Sequence, residues 1–345
     1  MTTLSVGVSL QPRWPLDDGG SALRAARHAE ELEFDHVAVG NRLLDSGFGL
    51  DTDPLVLLSA VAGTTTRLRL LTSVLVAPYY PALLLANQAA TLDVVSGGRL
   101  ILGIGTGWNP AEFDALGVPA RERGARTDDH LAAAKALWTQ RPAEYEGRFT
   151  TLRAAELGVP PLTPGGPPVW IGGHSDVALR RALRFGAGWY GTGIDADGVR
   201  DVRTRLRALA QDPANAPILA PAPVNAPVQA PAPVNAPTPA AAPAAGRAPA
   251  AAPATDAATG DATPAADRLT IASAQFLTPP GIPALTEAPG RPLGGEKPSA
   301  ASVADDLGRL ADAGLTTCTL WFPIAAQDLG RAMEWIAGEV VPQLG

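Results

Sequence analysis

The stretch GIGTGW, Gly103 to Trp108, ends an apolar run in three alternate glycines. Glycine has no Cβ, so a flat ring or a phosphate can approach its backbone closely. The dinucleotide fingerprint needs a third glycine at the sixth position, where Trp108 stands, and no Gly-Lys-Ser/Thr sequence follows to make a P-loop. Two interpretations therefore stay open with equal weight, a ligand at these glycines or a crowded turn at the rim of the fold.

A second stretch, WIGGHS, leads from an apolar run into a predicted helix with Ser175 as its N-cap. The backbone N–H groups of Gly172, Gly173 and His174, with the positive end of the helix dipole, favour a bound phosphate. The His174 ring either contacts that phosphate or caps the turn. The sequence does not decide between these roles.

Both stretches belong to a longer pattern of short Val/Ile/Leu-rich runs, which predict strands. The eight runs begin at Leu4, His36, Arg67, Arg99, Pro168, Ala187, Arg268 and Thr316. Amphipathic segments between most of them predict helices over 21–34, 53–62, 81–93, 124–138, 176–185, 196–210 and 302–313.

Eight such strands alternating with helices predict an α/β fold, a closed (β/α)8 TIM barrel, with a doubly wound open sheet as the competing architecture. Polar or glycine residues at the strand ends favour the barrel, because those ends converge on one face. They are Asn41, Ser73, Thr106, Gly173 and Thr192.

Residues 213–267 are almost entirely Ala, Pro and small polar residues, with a ten-residue repeat at Ala220 and Ala230. Such a composition predicts a disordered Ala/Pro-rich insertion. The barrel is then a single domain formed by 1–212 and 268–345. As an αβ connection, the insertion is expected on the N-terminal face, opposite the site.

Composition excludes several classes of function. A formal net charge of −7 argues against a nucleic-acid partner. The single cysteine, Cys318, lies in an apolar run and predicts a core thiol, and the four histidines form no cluster, so no metal is expected. No signal peptide or membrane span is recognisable, which predicts a cytoplasmic protein without a membrane partner.

Four segments together resemble the luciferase-like monooxygenase family, in particular its deazaflavin (coenzyme F420)-dependent branch. They are TLDVVSGGRLILGIGTGWNPAEFDALG from Thr91, PPVWIGGHSDVALRRALRFGAGWYGTG from Pro167, LRLLTSVLVAPYYPALLLANQAATLD from Leu68 and LADAGLTTCTLWFP from Leu310. The resemblance implies a luciferase-like barrel that binds F420, or alternatively FMN, at its C-terminal face.

The resemblance also implies roles for particular residues. Phosphate-binding loops map to the glycine–histidine turn, and a third-strand bulge, often with a cis peptide, maps to Ser73 and Val74. The expected cofactor-binding residues are Ser73, Val74, Thr106, Gly107, Gly172, Gly173, His174 and Thr192. The expected catalytic residues are Asn41, Arg42, Trp108 and Glu112.

One departure from the family pattern concerns the second strand. Where F420 enzymes commonly carry an Asp-His pair, this chain has Asn41 and Arg42. Arg42 cannot act as an acid at neutral pH, but it can stabilise negative charge on a reduced ring. A surface ion pair of Arg42 with Asp45 or Asp51 is an equal alternative.

The function expected from this resemblance is hydride transfer between F420 and a small organic substrate near Trp108, Trp189 and Phe276. The cofactor's acidic tail predicts basic residues at the rim, with four candidates: Arg121, Arg123, Arg126 and Arg180. The alternatives are an FMN-dependent monooxygenase that activates O2 and a non-catalytic binding or accessory barrel. The resemblance suggests a homodimer.

Overall fold

The structure is a computed structural model that describes residues 4–10, 20–45, 52–218, 263–287 and 290–344. Most of the predicted disordered insertion, residues 219–262, lies outside the described residues. Both flanks of that segment are packed: Asn215 is buried, and the Ile218 N–H donates to the carbonyl of Arg184. On the other side, Asp267 pairs with Arg207 at 2.9 Å.

Eight parallel strands close into a barrel, as the sequence predicts. In barrel order they are β1 (Ser5–Ser9), β2 (His36–Val39), β3 (Arg69–Thr72), β5 (Leu100–Gly105), β8 (Val169–Gly172), β9 (Gly188–Thr192), β10 (Thr270–Phe276) and β11 (Thr317–Trp321). Pairing of β1 with β11 and of β3 with β5 closes the ring, so the open doubly wound sheet is wrong.

A bulge interrupts the third strand. The chain resumes as β4 (Leu75–Val76), which also pairs with β5. Leu71 pairs with Ile101 and Leu75 with Ile104, so the third strand uses one more residue than its neighbour between these pairs. The extra residue falls at Ser73–Val74, where the peptide bond is cis, as the family resemblance indicates.

Helices surround the barrel. They are α1 (Ser21–Glu31), α2 (Pro54–Ala62), α3 (Ala82–Ser96), α4 (Pro110–Ala115), α5 (Arg123–Thr139), α6 (Asp176–Phe185), α7 (Ala196–Leu209), α8 (Ala300–Asp312) and α9 (Leu329–Trp335). Strand side chains alternate between two apolar clusters, as the period of two requires. Val6, Ile104 and Trp189 pack outward against the helices. A smaller cluster fills the interior: Ala38, Leu71, Ile101, Trp170, Tyr190 and Ala272.

Polar groups lie at the N-terminal end of the interior. Asp35 pairs with Arg69 at 2.6 Å and with the buried His36 ring at 2.9 Å. His36 Nε2 lies 2.7 Å from the Thr319 hydroxyl. Burial alone would raise the pKa of Asp35, but the hydrogen bond and charge of His36, with Arg69, lower it to about 2. This network therefore depends on an ionised carboxylate.

The sequence prediction missed three elements. An antiparallel hairpin, β6 (Ala143–Glu146) with β7 (Thr151–Ala155), packs on α5, and its residues are mostly exposed. The short helices α4 and α9 also went unpredicted. A hairpin with little buried surface lacks the apolar run that marks the barrel strands.

The adjacent helices α2 and α3 are apolar on their outer faces as well as on their inner ones. Val56 is 71% exposed, and Leu83 and Val95 are both more than half exposed. The one charged residue of α3, Asp93, is buried and accepts hydrogen bonds from Thr163. An apolar helix face of this kind marks an interaction surface in many proteins.

Candidate active site

The carboxyl ends of the eight strands form one rim, called here the barrel mouth. Its inward positions follow from the strand alternation and carry mostly small side chains: Ser9, Val74, Gly105, Gly172, Thr192 and Ala274. Small side chains at the top of a filled barrel leave room for a ligand. The mouth is also where active sites of (β/α)8 barrels lie.

The glycines of the GIGTGW stretch face strand three. A Cβ on Gly103 would overlap the Thr72 carbonyl, and one on Gly105 would lie 2.6 Å from the Val74 side chain. A Cβ on Gly107 would lie 2.6 Å from Val76. Space beside these glycines is therefore filled by the bulged third strand. Of the two interpretations left open by the sequence, the structure favours the crowded rim.

Val74 connects the two glycine stretches. Its side chain lies against Gly105 on one side, and a Cβ on Gly172 would lie 3.1 Å from it on the other. The glycines of β5 and β8 thus allow the bulge to project its backbone and Val74 into the barrel mouth. A ring bound in the mouth would rest on this bulge and would contact the glycines only beside it.

The turn after β8 holds His174 against the end of β9. The Thr192 N–H donates to His174 Nε2 at 3.3 Å, so the proton of the neutral ring is on Nδ1. Burial and nearby Arg205 both lower the pKa of His174, which keeps the ring neutral. Gly173 has φ +119°, and its N–H donates to Tyr190 O at 3.4 Å. The ring braces two strand ends, which supports the capping role for His174.

Trp189 does not reach the mouth, so its predicted place beside the substrate is wrong. It is fully buried on the outer side of β9, where its Nε1–H donates to Gly173 O at 2.6 Å. The sequence missed this because an aromatic residue in a strand gives no sign of which face it occupies.

The N-terminus of α6 keeps several unpartnered donors. Ser175 caps the helix by accepting from the Ala178 N–H at 3.3 Å. Within the described part of the chain, the backbone N–H groups of residues 174–177 have no acceptor. Asp176 would repel a phosphate there, but Arg205 pairs with it at 2.6 Å and also donates to His174 O at 2.9 Å. The turn is therefore a neutralised cluster of free donors, which fits a phosphate group.

Asn41 ties the second strand to the bulged third. Its Oδ1 accepts from the Val76 N–H at 3.1 Å, and its buried Nδ2 makes no hydrogen bond of good geometry in the described structure, although the Tyr80 hydroxyl lies close enough for Asn41 to lower the pKa of Tyr80. Such an orphan donor is rare in a folded protein. A ligand acceptor would satisfy it, so Asn41 fits a binding role.

Glu112 lies buried at the start of α4 and anchors the loop after β2. Its Oε1 accepts from the N–H groups of Leu43 and Leu44, at 2.9 and 3.2 Å, and Oε2 accepts from the Tyr79 hydroxyl at 2.7 Å. Burial would raise the pKa of Glu112, but these bonds and nearby Arg42 hold it below its usual range. The carboxylate stays ionised and engaged, so it positions the loop and is not free to act as an acid.

Arg42 lies across Trp108 at the mouth. Its guanidinium carbon is 4.7 Å from the ring centroid, a cation–π contact, and Trp108 is 59% exposed. Arg42 forms no ion pair with Asp45, and Asp51 lies outside the described residues. The surface ion pair considered from the sequence is therefore absent as far as the structure describes this loop.

The remaining predicted residues are distributed around the mouth. Thr106 and Gly107 lie half-exposed between β5 and α4, with Gly107 at φ +76°. Phe276 faces inward and contacts Trp321 edge-on, with ring centroids 4.9 Å apart.

Three of the four rim arginines, Arg121, Arg123 and Arg180, are exposed near the starts of α5 and α6. Arg126 instead pairs with Glu122 at 2.9 Å and lies over Phe149.

Sequence reasoning missed the residues that hold these groups in place. Tyr79 binds Glu112, Tyr80 donates to the α2 N-cap Asp53 at 2.6 Å, and Arg205 neutralises Asp176. The two tyrosines directly follow β4, at the strand end that faces the mouth, and this position was the available signal. Arg205 lies two turns into α7 and gave none.

Comparison with known proteins identifies the family. The model of the luciferase-like monooxygenase family matches residues 4–270. The chain belongs to this family. The predicted resemblance is thus confirmed, with the barrel and the cis-peptide bulge in the places it indicated.

Curated relatives match about half of this chain. An uncharacterised protein of Mycobacterium tuberculosis, Rv0940c, is 34% identical over 183 residues, 53% of this chain and 62% of that protein. The FMNH2-dependent dimethylsulfone monooxygenase of Pseudomonas putida is 29% identical over 192 residues, 54% of this chain and 52% of that protein. The matches span between half and two thirds of the relatives' length.

Solved structures share the whole fold. The monooxygenase RslO1 from Streptomyces bottropensis superimposes with a TM-score of 0.71 at 18% identity, covering 99% of this chain and 100% of that one. An F420-dependent secondary alcohol dehydrogenase, solved with an F420–acetone adduct, gives 0.70 at 16% identity, with complete coverage of both. At these identities the likeness shows the fold.

Two further findings concern the described residues alone. They contain no group of three or more His, Cys, Asp or Glu side chains arranged to hold a metal ion. Nor do they contain a helix that is both long and apolar enough to cross a membrane. Cys318 is a free, fully buried thiol, and burial raises its pKa to about 12, as expected for a core residue.

Proposed function

We propose that the protein is a deazaflavin-dependent oxidoreductase that transfers a hydride between F420 and a small organic substrate at the barrel mouth. The observation that supports a cofactor of this kind is the meeting, at one mouth, of the Ser73–Val74 bulge with the free N–H groups at the start of α6, and the exposed rim arginines favour F420 over FMN. When bound, F420 supplies hydride transfer at one ring carbon.

The residues of the mouth divide the binding work between them. Ser73 and Val74 support the ring of the cofactor. The backbone N–H groups after Gly173 bind the cofactor's phosphate, and His174 braces this turn. Arg205 removes the repulsion that Asp176 would otherwise exert. The exposed arginines 121, 123 and 180 suit the acidic tail of F420.

Proton chemistry finds little support among the described side chains of the mouth. Glu112 is ionised and engaged, and the Nε2 of His174 accepts a hydrogen bond from the Thr192 N–H. The hydride itself passes without a proton from these groups, and the one proton that balances the two-electron change of the substrate would be exchanged with water beyond the reacting carbon. Trp108, with the leucines after Arg42, can instead cover the reacting carbon and exclude water.

A second candidate is an FMN-dependent monooxygenase that activates O2. It is favoured by the relative named as an FMNH2-dependent dimethylsulfone monooxygenase. The same bulge and phosphate turn would hold FMN, which has no acidic tail. Both cofactors would therefore use the bulge and the phosphate turn, and only F420 would use the rim arginines.

Parallel titrations of the purified chain with F420 and FMN test the proposal. F420 is expected to bind at least tenfold more tightly, a difference of about 1.4 kcal/mol. Tighter FMN binding would replace the first candidate with the second, and failure of both to bind would indicate a non-catalytic barrel.

A variant tests the phosphate turn separately. Arg205→Gln leaves Asp176 without its partner, so it should weaken either cofactor roughly tenfold. Arg200→Gln is the matched control, because Arg200 lies on the same helix and pairs with Asp197, at 2.5 Å. Equal affinity in both variants would place the phosphate elsewhere.

A further inference from the structure

Among the residues that the structure describes, Arg42 has no acidic partner at the barrel mouth. Its guanidinium rests on Trp108, and no carboxylate in the described structure lies within ion-pair distance of it. Two other arginines with restricted exposure do have such partners: Arg69 pairs with Asp35, and Arg181 with Asp128 at 2.7 Å. The buried Arg99 has none, but its guanidinium donates to the carbonyls of Ala62, Thr65, Leu68 and Ser96. An arginine held by an aromatic ring keeps its N–H donors available to a ligand.

The backbone around Arg42 is fixed on both sides. On one side Asn41 is tied to Val76, and on the other the N–H groups of Leu43 and Leu44 are bound by Glu112. These three hydrogen bonds leave Arg42 little backbone freedom. Its stacked position is therefore set by the fold and costs little to keep when a ligand arrives.

Glu112 interacts electrostatically with Arg42 but does not neutralise it. Both oxygens of its carboxylate already accept hydrogen bonds, one from the leucine N–H pair and one from Tyr79. Arg42 helps to lower the pKa of Glu112 through space but forms no direct bond with it. No carboxylate in the described part of the chain therefore pairs directly with the guanidinium of Arg42.

Apolar surface surrounds this charge. Leu43 and Leu44 are 43% and 41% exposed, and Trp108 presents most of its ring. Scattered exposed apolar residues are ordinary, but here three lie beside a guanidinium that has no acidic partner among the described residues. A ligand that matches both features has an apolar body and one carboxylate, the group whose geometry fits the guanidinium fork.

We propose that the substrate carries a carboxylate on an apolar body and that Arg42 is the residue that recognises this carboxylate. The proposal rests on the proposed function, because it assigns a substrate class to the same mouth. In this proposal Arg42 binds the substrate and does not stabilise negative charge on the reduced ring of the cofactor.

The test compares ligand pairs that differ only in charge. Hexanoate with hexanamide, and 3-phenylpropionate with its amide, are titrated by calorimetry into the chain with and without cofactor. The wild-type protein should bind each carboxylate at least tenfold more tightly than its amide, and Arg42→Gln should remove that preference. Arg148→Gln is the control, because Arg148 also stacks on a ring, 4.8 Å from the Phe149 centroid, but lies on the outer hairpin.

Three results would overturn the proposal. They are equal affinity for acid and amide, a preference that survives in Arg42→Gln, and no binding of either acid up to about 10 mM. A tenfold loss of cofactor affinity in Arg42→Gln, without an acid preference in the wild type, would assign Arg42 to the cofactor instead. Failure of the wild type to bind any cofactor would refute the proposed function, while the titrations without cofactor would still report on Arg42.

Discussion

Substituting Gly103 by alanine tests the role of the glycines in β5 most directly. The new methyl group would overlap the carbonyl oxygen of Thr72 and lie 3.1 Å from its carbon. The obstacle is backbone held in the barrel ladder, so β3 and β5 must separate. Overpacking in a core costs about 1–3 kcal/mol, and a backbone obstacle places Gly103→Ala near the upper end, at about 3 kcal/mol.

Two further alanine variants calibrate that loss. In Gly105→Ala the methyl would lie 2.6 Å from Val74, a side chain that can rotate away, so about 1 kcal/mol is expected. Gly308→Ala, within α8, meets no heavy atom within 4 Å and should gain up to about 1 kcal/mol from helix propensity. Urea denaturation measures the free energy of unfolding of each. If Gly103→Ala proves as stable as wild type, the packing argument for this strand is wrong.

Three other predictions concern different parts of the molecule. Asp35→Asn should lower the free energy of unfolding by about 2 kcal/mol at neutral pH, because the pKa of Asp35 falls from 3.8 to about 2 on folding. The difference between variant and wild type should shrink as the pH drops from about 4 to 2, because the wild-type carboxylate becomes protonated. A difference that stays constant over this range would contradict the prediction. The apolar faces of α2 and α3 predict a homodimer. Leu84 lies on α3 and is 45% exposed, so light scattering should find Leu84→Glu monomeric, while Leu285→Glu, at a 59% exposed position outside these helices, should leave the dimer unchanged. A monomeric wild type would contradict the prediction. Replacing residues 219–262 by a Gly/Ser linker should leave cofactor affinity within twofold of wild type in titration, because the flanking residue Ile218 binds the C-terminal end of α6, away from the mouth; a tenfold loss, about 1.4 kcal/mol, would argue otherwise.

The barrel could be predicted because its signals are local and repeated. Each strand is a short apolar run, and the eight runs with helices between them leave few alternatives. The predicted α6 boundaries agree with the structure at both ends, because Ser175 and Asp176 mark its start and Gly186 its end. The hairpin β6–β7 was not predicted, because its strands AEYE and TLRAA contain no run of Val, Ile and Leu like those of the barrel strands.

The sequence predicted where the residues of the candidate site lie better than it predicted what each of them does. The strand ends named from the sequence do meet at one mouth, because parallel strands bring their carboxyl ends together. Glu112 lies near the mouth, as expected. A catalytic role for it depends on whether its carboxylate oxygens are left without hydrogen-bond partners in the protein. Partners 33 and 69 positions away in sequence, Tyr79 and Leu43, occupy them. No local pattern reports such distant contacts.

The GIGTGW stretch shows how far a residue type alone can carry an inference. Alternate glycines indicate that another group approaches the backbone closely, and that group can be either a ligand or the neighbouring strand. The extra residue in strand three decides between them, because the bulge moves Val74 and the Thr72 carbonyl into the space that side chains at positions 103 and 105 would need. A bulge that projects into the mouth can support a ring only if its neighbours give way on both sides, and Gly172 does so on β8. Under the proposed function the glycines therefore act on the cofactor indirectly: they make room for the bulge, and the bulge would support the cofactor's ring.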